Sequence, residues 1–286
     1  MTMPPETNVN LVVFTDLDGT LLDYANYQWS AAQPALEELA RRGVPLVMVS
    51  SKSRIEILSL LRNFGRRDPF VVENGGAIYV PVRYFPFAIE EAELSTGGWW
   101  RISLGTQYRK LVEELEAAAR AVEVRVLGFS QMSPSELADF AEFGIADARR
   151  ALQREFDEAF VIVSGDHRAW PRLGAEIRRR GLRATRGTRF YHIMGENDKG
   201  AAVRRLETWF RSSCRSRVRF AGLGDSPNDI PLLRTVDVPI LVARPGGHYD
   251  EETYTAVPGV RRADGVGPEG WNRAVLRLLS TTFTMQ

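Results

Sequence analysis

Residues 12–22 read Val-Val-Phe-Thr-Asp-Leu-Asp-Gly-Thr-Leu-Leu. A short apolar run ends in Asp16 and Asp18, spaced two apart and followed at once by Gly19 and Thr20. Asp is a poor strand residue. Two neighbouring carboxylates at the end of a buried strand repel each other, and losing their water is costly unless positive charge lies between them. A divalent metal ion, which takes oxygen ligands, would meet that need. A lone Asp-Gly is usually a turn, but a turn leaves the apolar strand and Asp16 ahead of it unexplained.

The rest of the composition narrows the class. A chain of 286 residues with 44% hydrophobic and 26% charged residues suits a globular fold of one large domain or two smaller ones. A net charge of +1 gives no field that would recruit nucleic acid or an anionic membrane. No apolar run approaches the roughly 20 residues needed to span a bilayer. Met1–Asn10 is polar and does not read as a signal peptide. The single cysteine, Cys214, excludes an internal disulfide and reads as an inert thiol beside Arg211, Arg215 and Arg217. Together these features give a cytoplasmic reading. Only three of the 37 basic residues are lysines, namely Lys52, Lys110 and Lys199. Arginine supplies the general surface charge, a usage that genome composition or high-temperature adaptation also produces, and a surviving lysine is then only a weak sign of a position that favours an amine.

The hydrophobic pattern predicts a strand at 11–15, a helix at 31–42, a strand at 44–49, a helix at 54–64 and a short strand at 70–72. That alternation implies a parallel sheet with helices on both faces. The middle of the chain breaks the rhythm. Residues 84–102 are rich in Pro, Gly and aromatics. Helices are then expected at 108–121, 133–143, 146–154 and 170–180, with strands at 124–129, 160–164 and 189–194. The rhythm returns with a helix at 199–211, a strand at 217–223, a helix at 228–235, a strand at 238–242 and a last helix at 272–279. The expected fold class is α/β. A Rossmann-like parallel-sheet core is built from residues 1–84 and 193–286, and an α+β cap is inserted at residues 85–192.

Ligands of open parallel sheets sit at the carboxyl ends of the strands. Four polar clusters follow predicted strand ends or open a helix: Asp16 with Asp18, Ser50 with Ser51, Lys199, and Asp225 with Asn228 and Asp229. If their strands are neighbours, the clusters meet. Carboxylates would then hold a metal, while lysine, serine and backbone amides would hold a phosphate. Simpler readings stand beside this one. Ser50 alone would be a helix N-cap, Lys199 alone a solvated helix residue with Asp198 as its cap, and Pro227 the start of a helix after a plain turn.

Taken in this order, the clusters resemble the haloacid dehalogenase superfamily of phosphotransferases. The motifs Asp16-Leu17-Asp18-Gly19-Thr20 and Gly222-Leu223-Gly224-Asp225-Ser226-Pro227-Asn228-Asp229 carry most of the likeness. A closer resemblance, to the mannosyl-3-phosphoglycerate phosphatase family, rests on five further stretches. These are Ser50-Ser51-Lys52-Ser53-Arg54, Glu73-Asn74-Gly75-Gly76, Glu155-Phe156-Asp157-Glu158, Arg189-Phe190-Tyr191-His192 and Gly267-Pro268-Glu269-Gly270-Trp271-Asn272. Relatives often have Thr where this chain has Ser50, which keeps the hydroxyl.

The resemblance implies a Mg²⁺-dependent phosphatase working through an aspartyl-phosphate. Asp16 would be the nucleophile and Asp18 the general acid and base, touching the metal through its backbone carbonyl. Asp225 would ligate the metal directly and Asp229 through water. Ser50, Ser51, Lys199 and Asn228 would bind the phosphate. The implied substrate is a small sugar linked to 3-phosphoglycerate, mannosyl or glucosyl. The expected substrate contacts are Glu73, Asn74, Gly75 and Gly76 on the core, Arg168, Arg189 and His192 for anions, and Glu155 and Asp166 for sugar hydroxyls. A phosphatase or phosphomutase for another sugar phosphate, such as sucrose phosphate, is the alternative reading. Nucleic-acid and membrane partners are not expected, and self-association is left open.

Overall fold

The computed structural model describes residues 10–142, 144–163, 169–187, 189–214 and 216–282. The first part of the chain supplies strands β1 (Leu11–Thr15), β2 (Leu46–Val49), β3 (Phe70–Val72), β4 (Ala77–Pro81), β5 (Glu93–Ser95) and β6 (Trp99–Ser103). The middle supplies β7 (Val126–Gly128), β8 (Asp157–Ile162), β9 (Arg183–Arg186) and β10 (Tyr191–Met194). The last part supplies β11 (Arg219–Gly224), β12 (Val238–Ala243) and β13 (Arg261–Val266). The helices that cover them are α1 (Gln33–Arg41), α2 (Arg54–Asn63), α3 (Tyr108–Ala121), α4 (Pro134–Ala141), α5 (Ile145–Ala151), α6 (Ala169–Arg179), α7 (Lys199–Ser213), α8 (Ile230–Leu233), α9 (Glu251–Ala256) and α10 (Gly267–Thr282).

The large sheet has the order β13-β12-β11-β1-β2-β3-β4-β6-β5. It is parallel from β13 through β3 and antiparallel from there to β5. β1 is buried at every position, because both of its faces are covered. Leu11 and Val13 meet Leu36, Ile57 and Val275 of α1, α2 and α10. Val12 and Phe14 meet Val203, Leu206 and Phe210 of α7 and Leu232 of α8. The switch in strand order falls between β1 and β11, where a doubly wound sheet opens its crevice.

The Gly267–Asn272 motif acts at this seam. Trp271 is fully buried and donates its indole N–H to Thr15 Oγ1 at 2.9 Å, while Asn272 Oδ1 accepts the Ala35 amide. The first contact ties the last helix to the strand that leads into Asp16, and the second ties it to α1.

The second sheet has the order β7-β8-β10-β9 and is antiparallel. Period-two alternation gives it two apolar faces. Phe160 and Ile193 pack with α3 and α6, while Ala159 and Val161 pack with α4 and α5. Two stretches sit in a different sheet from the one expected. Residues 93–103, read as part of the insertion, complete the large sheet because β6 pairs along β4 from Trp99 to Ser103. Ile193 and Met194, read as core, end strand β10 of the small sheet. No helix among the described residues is long and apolar enough to cross a membrane.

Candidate active site

The adjacent parallel strands β1 and β11 deliver the acids. Asp16 follows β1, and its amide donates to Leu223 O of β11, which sets the two strand ends level. Asp225 follows β11. Gly19, at φ +80°, lets the first loop turn back under it, since a side chain there would press on the Asp225 carboxylate. The carboxylate oxygens of Asp16, Asp225 and Asp229 lie within 4.8 Å of one another, and all three residues are buried.

Lys199, 1% exposed, opens α7 with Asp198 as N-cap and donates to Asp16 Oδ1 at 2.5 Å and to Asp229 Oδ1 at 2.6 Å. A buried amine held between two acids is no solvated helix residue. Gly200 follows because α7 crosses the backbone of Pro231 too closely for a side chain. Asp229 also shapes its own loop, because its Oδ2 accepts the amides of Asp225 and Ser226. Arg244 Nε donates to Asp225 Oδ2 at 3.2 Å.

The charge does not balance. Three buried carboxylates face one buried ammonium and one partly exposed guanidinium. Burial first, then Asp229 and Asp225, push the Asp16 carboxyl well above the usual carboxylate range despite Lys199. Burial and Asp229 push Asp225 up to about 7 against the pull of Arg244. Burial works against the charge on Lys199, yet Asp16 and Asp229 hold the amine firmly protonated. Such a cluster can hold a hard divalent cation. The fit is good, because the oxygens are already gathered and short of positive charge.

Asp18 points elsewhere. Its Oδ1 meets Lys52 Nζ at 2.9 Å, outside the cluster, so the two aspartates of the motif have separate lysine partners. Ser50 is buried and its Oγ accepts the Lys52 amide, while the N-cap of α2 is Ser53 in a capping box with Glu56. The cap role open to Ser50 in the sequence therefore falls to Ser53. A cleft between the two sheets is lined by Asp16, Asp18, Ser51, Asn228, Lys52 and Tyr27 from the core, and by Arg154, Arg189, His192 and Phe129 from the small-sheet side.

The remaining expected contacts divide. His192 and Arg189 reach the cleft. Glu73, Asn74, Gly75 and Gly76 form a buried joint beside it. Glu73 and Asn74 take φ of +49° and +56°, and Gly75 of +93°. The Glu73 carboxylate accepts the Glu155 and Phe156 amides, and burial raises it to about 7 although Arg154 pulls it down. Asn74 Nδ2 donates to Asp157 Oδ2 at 2.7 Å, and Asn228 Nδ2 donates to Asn74 Oδ1 at 3.2 Å. Gly75 and Gly76 allow close approach to Asp198 and Phe156. Glu155 turns outward to Arg101 and Tyr79. Asp166 and Arg168 lie outside the described residues.

Arg154, Asp157 and Lys52 are additional site groups. Arg154 donates to Ser51 O and to Asp157, and Asp157 also binds His192 Nδ1 at 2.8 Å. Arg154 hides among many arginines in the sequence, but Asp157 offers a legible signal as an acid in a strand that is otherwise apolar after Glu158.

A family profile for haloacid dehalogenase-like hydrolases matches residues 13–85. A glucosyl-3-phosphoglycerate/mannosyl-3-phosphoglycerate phosphatase of Methanococcoides burtonii is 37% identical over 268 residues, 94% of this chain and 97% of that protein. This chain belongs to the mannosyl-3-phosphoglycerate phosphatase family. A second member, the mannosyl-3-phosphoglycerate phosphatase of Pyrococcus furiosus, is 32% identical over 87% of this chain and 97% of its own length. Solved haloacid dehalogenase-like hydrolases show the fold of the family. One from Bacteroides thetaiotaomicron has TM-score 0.62 and 17% identity over 95% of this chain and all of its own. One from B. subtilis has TM-score 0.63 and 16% identity over 94% of this chain and all of its own. The likeness to the family's sequences runs through the small sheet as well as the large one.

Proposed function

We propose that this protein hydrolyses mannosyl-3-phosphoglycerate, and glucosyl-3-phosphoglycerate with it, to the glycosylglycerate and phosphate. The observation that carries this reading is the likeness to the family over 94% of the chain. Asp16, Asp225 and Asp229 would hold Mg²⁺, with the Asp18 backbone carbonyl. The ion would neutralise charge on the phosphate and on the acids around it.

The protein's own groups then divide the reaction in two. One Asp16 oxygen attacks phosphorus as the bond from phosphorus to the glycerate oxygen breaks, leaving an aspartyl-phosphate. Asp18 gives its proton to the departing oxygen. In the second half, water attacks the same phosphorus, Asp18 takes the water's proton, and the bond to Asp16 breaks to release phosphate. Lys199 steadies Asp16 and the phosphate oxygens with a compact point charge. Ser50, Ser51 and Asn228 bound the phosphate site.

The small-sheet unit, in this reading residues 104–195, acts as a cap that excludes water. Arg189 is suited to holding it shut. Its guanidinium donates to Ala141 O on the cap side and to Tyr24 O and Ala25 O on the core.

Phosphate release with Mg²⁺ from mannosyl- and glucosyl-3-phosphoglycerate, sucrose phosphate and hexose phosphates tests the reading. The glycerate compounds are expected to be turned over fastest, and a preference for any other member of the panel would overturn it.

A further inference from the structure

We propose that Lys52 selects the leaving group: its ammonium receives the carboxylate of the glycerate beside the proton carrier Asp18. The proposal rests on the function above. The phosphate and the nucleophile are served by Lys199, so Lys52 is not needed to hold either. Yet Lys52 is placed where a leaving group must pass. Its Nζ lies 2.9 Å from Asp18 Oδ1, on the carboxylate that delivers the proton, and 3.4 Å from Glu56 Oε1. The side chain is only 10% exposed, lines the cleft, and sets its amine 4.9 Å over the Tyr27 ring.

The chemistry of the substrate meets that geometry. Asp18 addresses the oxygen on the phosphate-bearing carbon, and the carboxylate of a 3-phosphoglycerate stands two carbons further along. An ammonium touching Asp18 is therefore at the correct remove to receive it. Burying a cation is costly unless it is paired. Burial works against the charge here, but Asp18 and Glu56 keep the amine protonated. Its compact, three-donor head can serve one oxygen from each of several carboxylates. That accounts for a lysine in a chain that otherwise uses arginine. There is room beyond as well. A second chamber, lined by Trp29, Asn63 and Arg150, shares Tyr27, Lys52 and Glu56 with the cleft. A leaving group that crosses Lys52 can continue into it.

The test compares two substrates on the Mg²⁺-loaded enzyme: mannosyl-3-phosphoglycerate and the same compound with its carboxylate reduced to hydroxymethyl. Wild type is expected to favour the carboxylate. Lys52→Gln lowers kcat/KM for both, because Asp18 loses an anchor, but lowers it about 50-fold further for the carboxylate compound, as expected for one charge-assisted hydrogen bond. Lys52→Arg, which keeps a cation, should hold the ratio within about 5-fold of wild type. Parallel losses on the two substrates in Lys52→Gln, or a collapse of the ratio in Lys52→Arg as complete as in the glutamine variant, would overturn the proposal alone. A wild type that turns over neither glycerate compound would overturn the proposed function and this inference together. If Lys52→Gln does not fold, the double substitution with Glu56→Gln removes the amine and one of its acids together, and the same ratio decides.

Discussion

The two walls of the cleft handle charge in opposite ways. On the core wall, Asp16, Asp225 and Asp229 crowd around one buried lysine and leave positive charge in deficit. On the small-sheet wall, Asp157 is matched by Arg154, His192 and Asn74, and Arg189 spends its donors on backbone carbonyls. Burial alone would raise the Asp157 carboxyl, yet His192 and Arg154 bring it below the usual range, whereas Asp16 and Asp225 sit above theirs. A wall left short of charge can take up a cation and perform chemistry. A wall whose charges are matched can hold a shape.

That contrast can be broken by substitution. Asp16→Asn should cost about 10⁴-fold or more in kcat, the scale for removing a nucleophile that works with its neighbours as a unit, while thermal melting stays close to wild type. Residual activity within about tenfold, or about 1.4 kcal/mol of barrier, would remove Asp16 from that role. Lys199→Met strands two buried carboxylates and should destabilise the protein by about 3–5 kcal/mol, read by denaturant unfolding of the metal-free protein.

On the other wall, Asp157→Asn should cost less, about 2 kcal/mol, because Arg154 keeps its bonds to Ser51 O and Asp157 O. Its kinetic signature should be a raised KM with kcat held within about tenfold. A kcat loss as deep as that of Asp16→Asn would erase the distinction between the walls.

The smallest effect is thermodynamic. Asp16 and Asp225 have folded-state pKa values above their unfolded ones. In the metal-free protein their ionisation therefore subtracts stability from the ordinary carboxylate range upward, and for Asp225 the loss is complete above about 7. Mg²⁺ favours the ionised forms. At tenfold excess over its dissociation constant it should add about 1.4 kcal/mol, seen as a rise in melting temperature at pH 8 that shrinks towards pH 5. A shift independent of pH would place the ion away from these acids.

The core wall was the more legible of the two in the sequence. Its residues follow fully buried, largely apolar strands such as β1 and β2, where an acid or hydroxyl stands out. Several strands without such a signal are edges. β13 begins Arg261-Arg262 and β9 reads Arg-Ala-Thr-Arg, because an edge strand needs no continuous apolar run. β5 is largely exposed for the same reason. The joint at Glu73–Gly76 was visible as a motif, but its structural role was not. A buried glutamate accepting two amides from residues 155 and 156 depends on a contact across 82 positions, which no local spacing encodes.

The placement of β1 has a consequence for how the molecule is made. Its neighbour β2 is at hand early in synthesis, but β11 and the Trp271 indole arrive only after residues 219 and 271 have been added. Until then the ribosome-bound chain carries a half-finished sheet with a fully buried, largely apolar strand on its rim, a surface prone to sticking and a candidate for chaperone protection. The small-sheet unit is contiguous in sequence, so its strand pairings need no later part of the chain. Asp16 is thus encoded near the start of the chain but acquires its surroundings last.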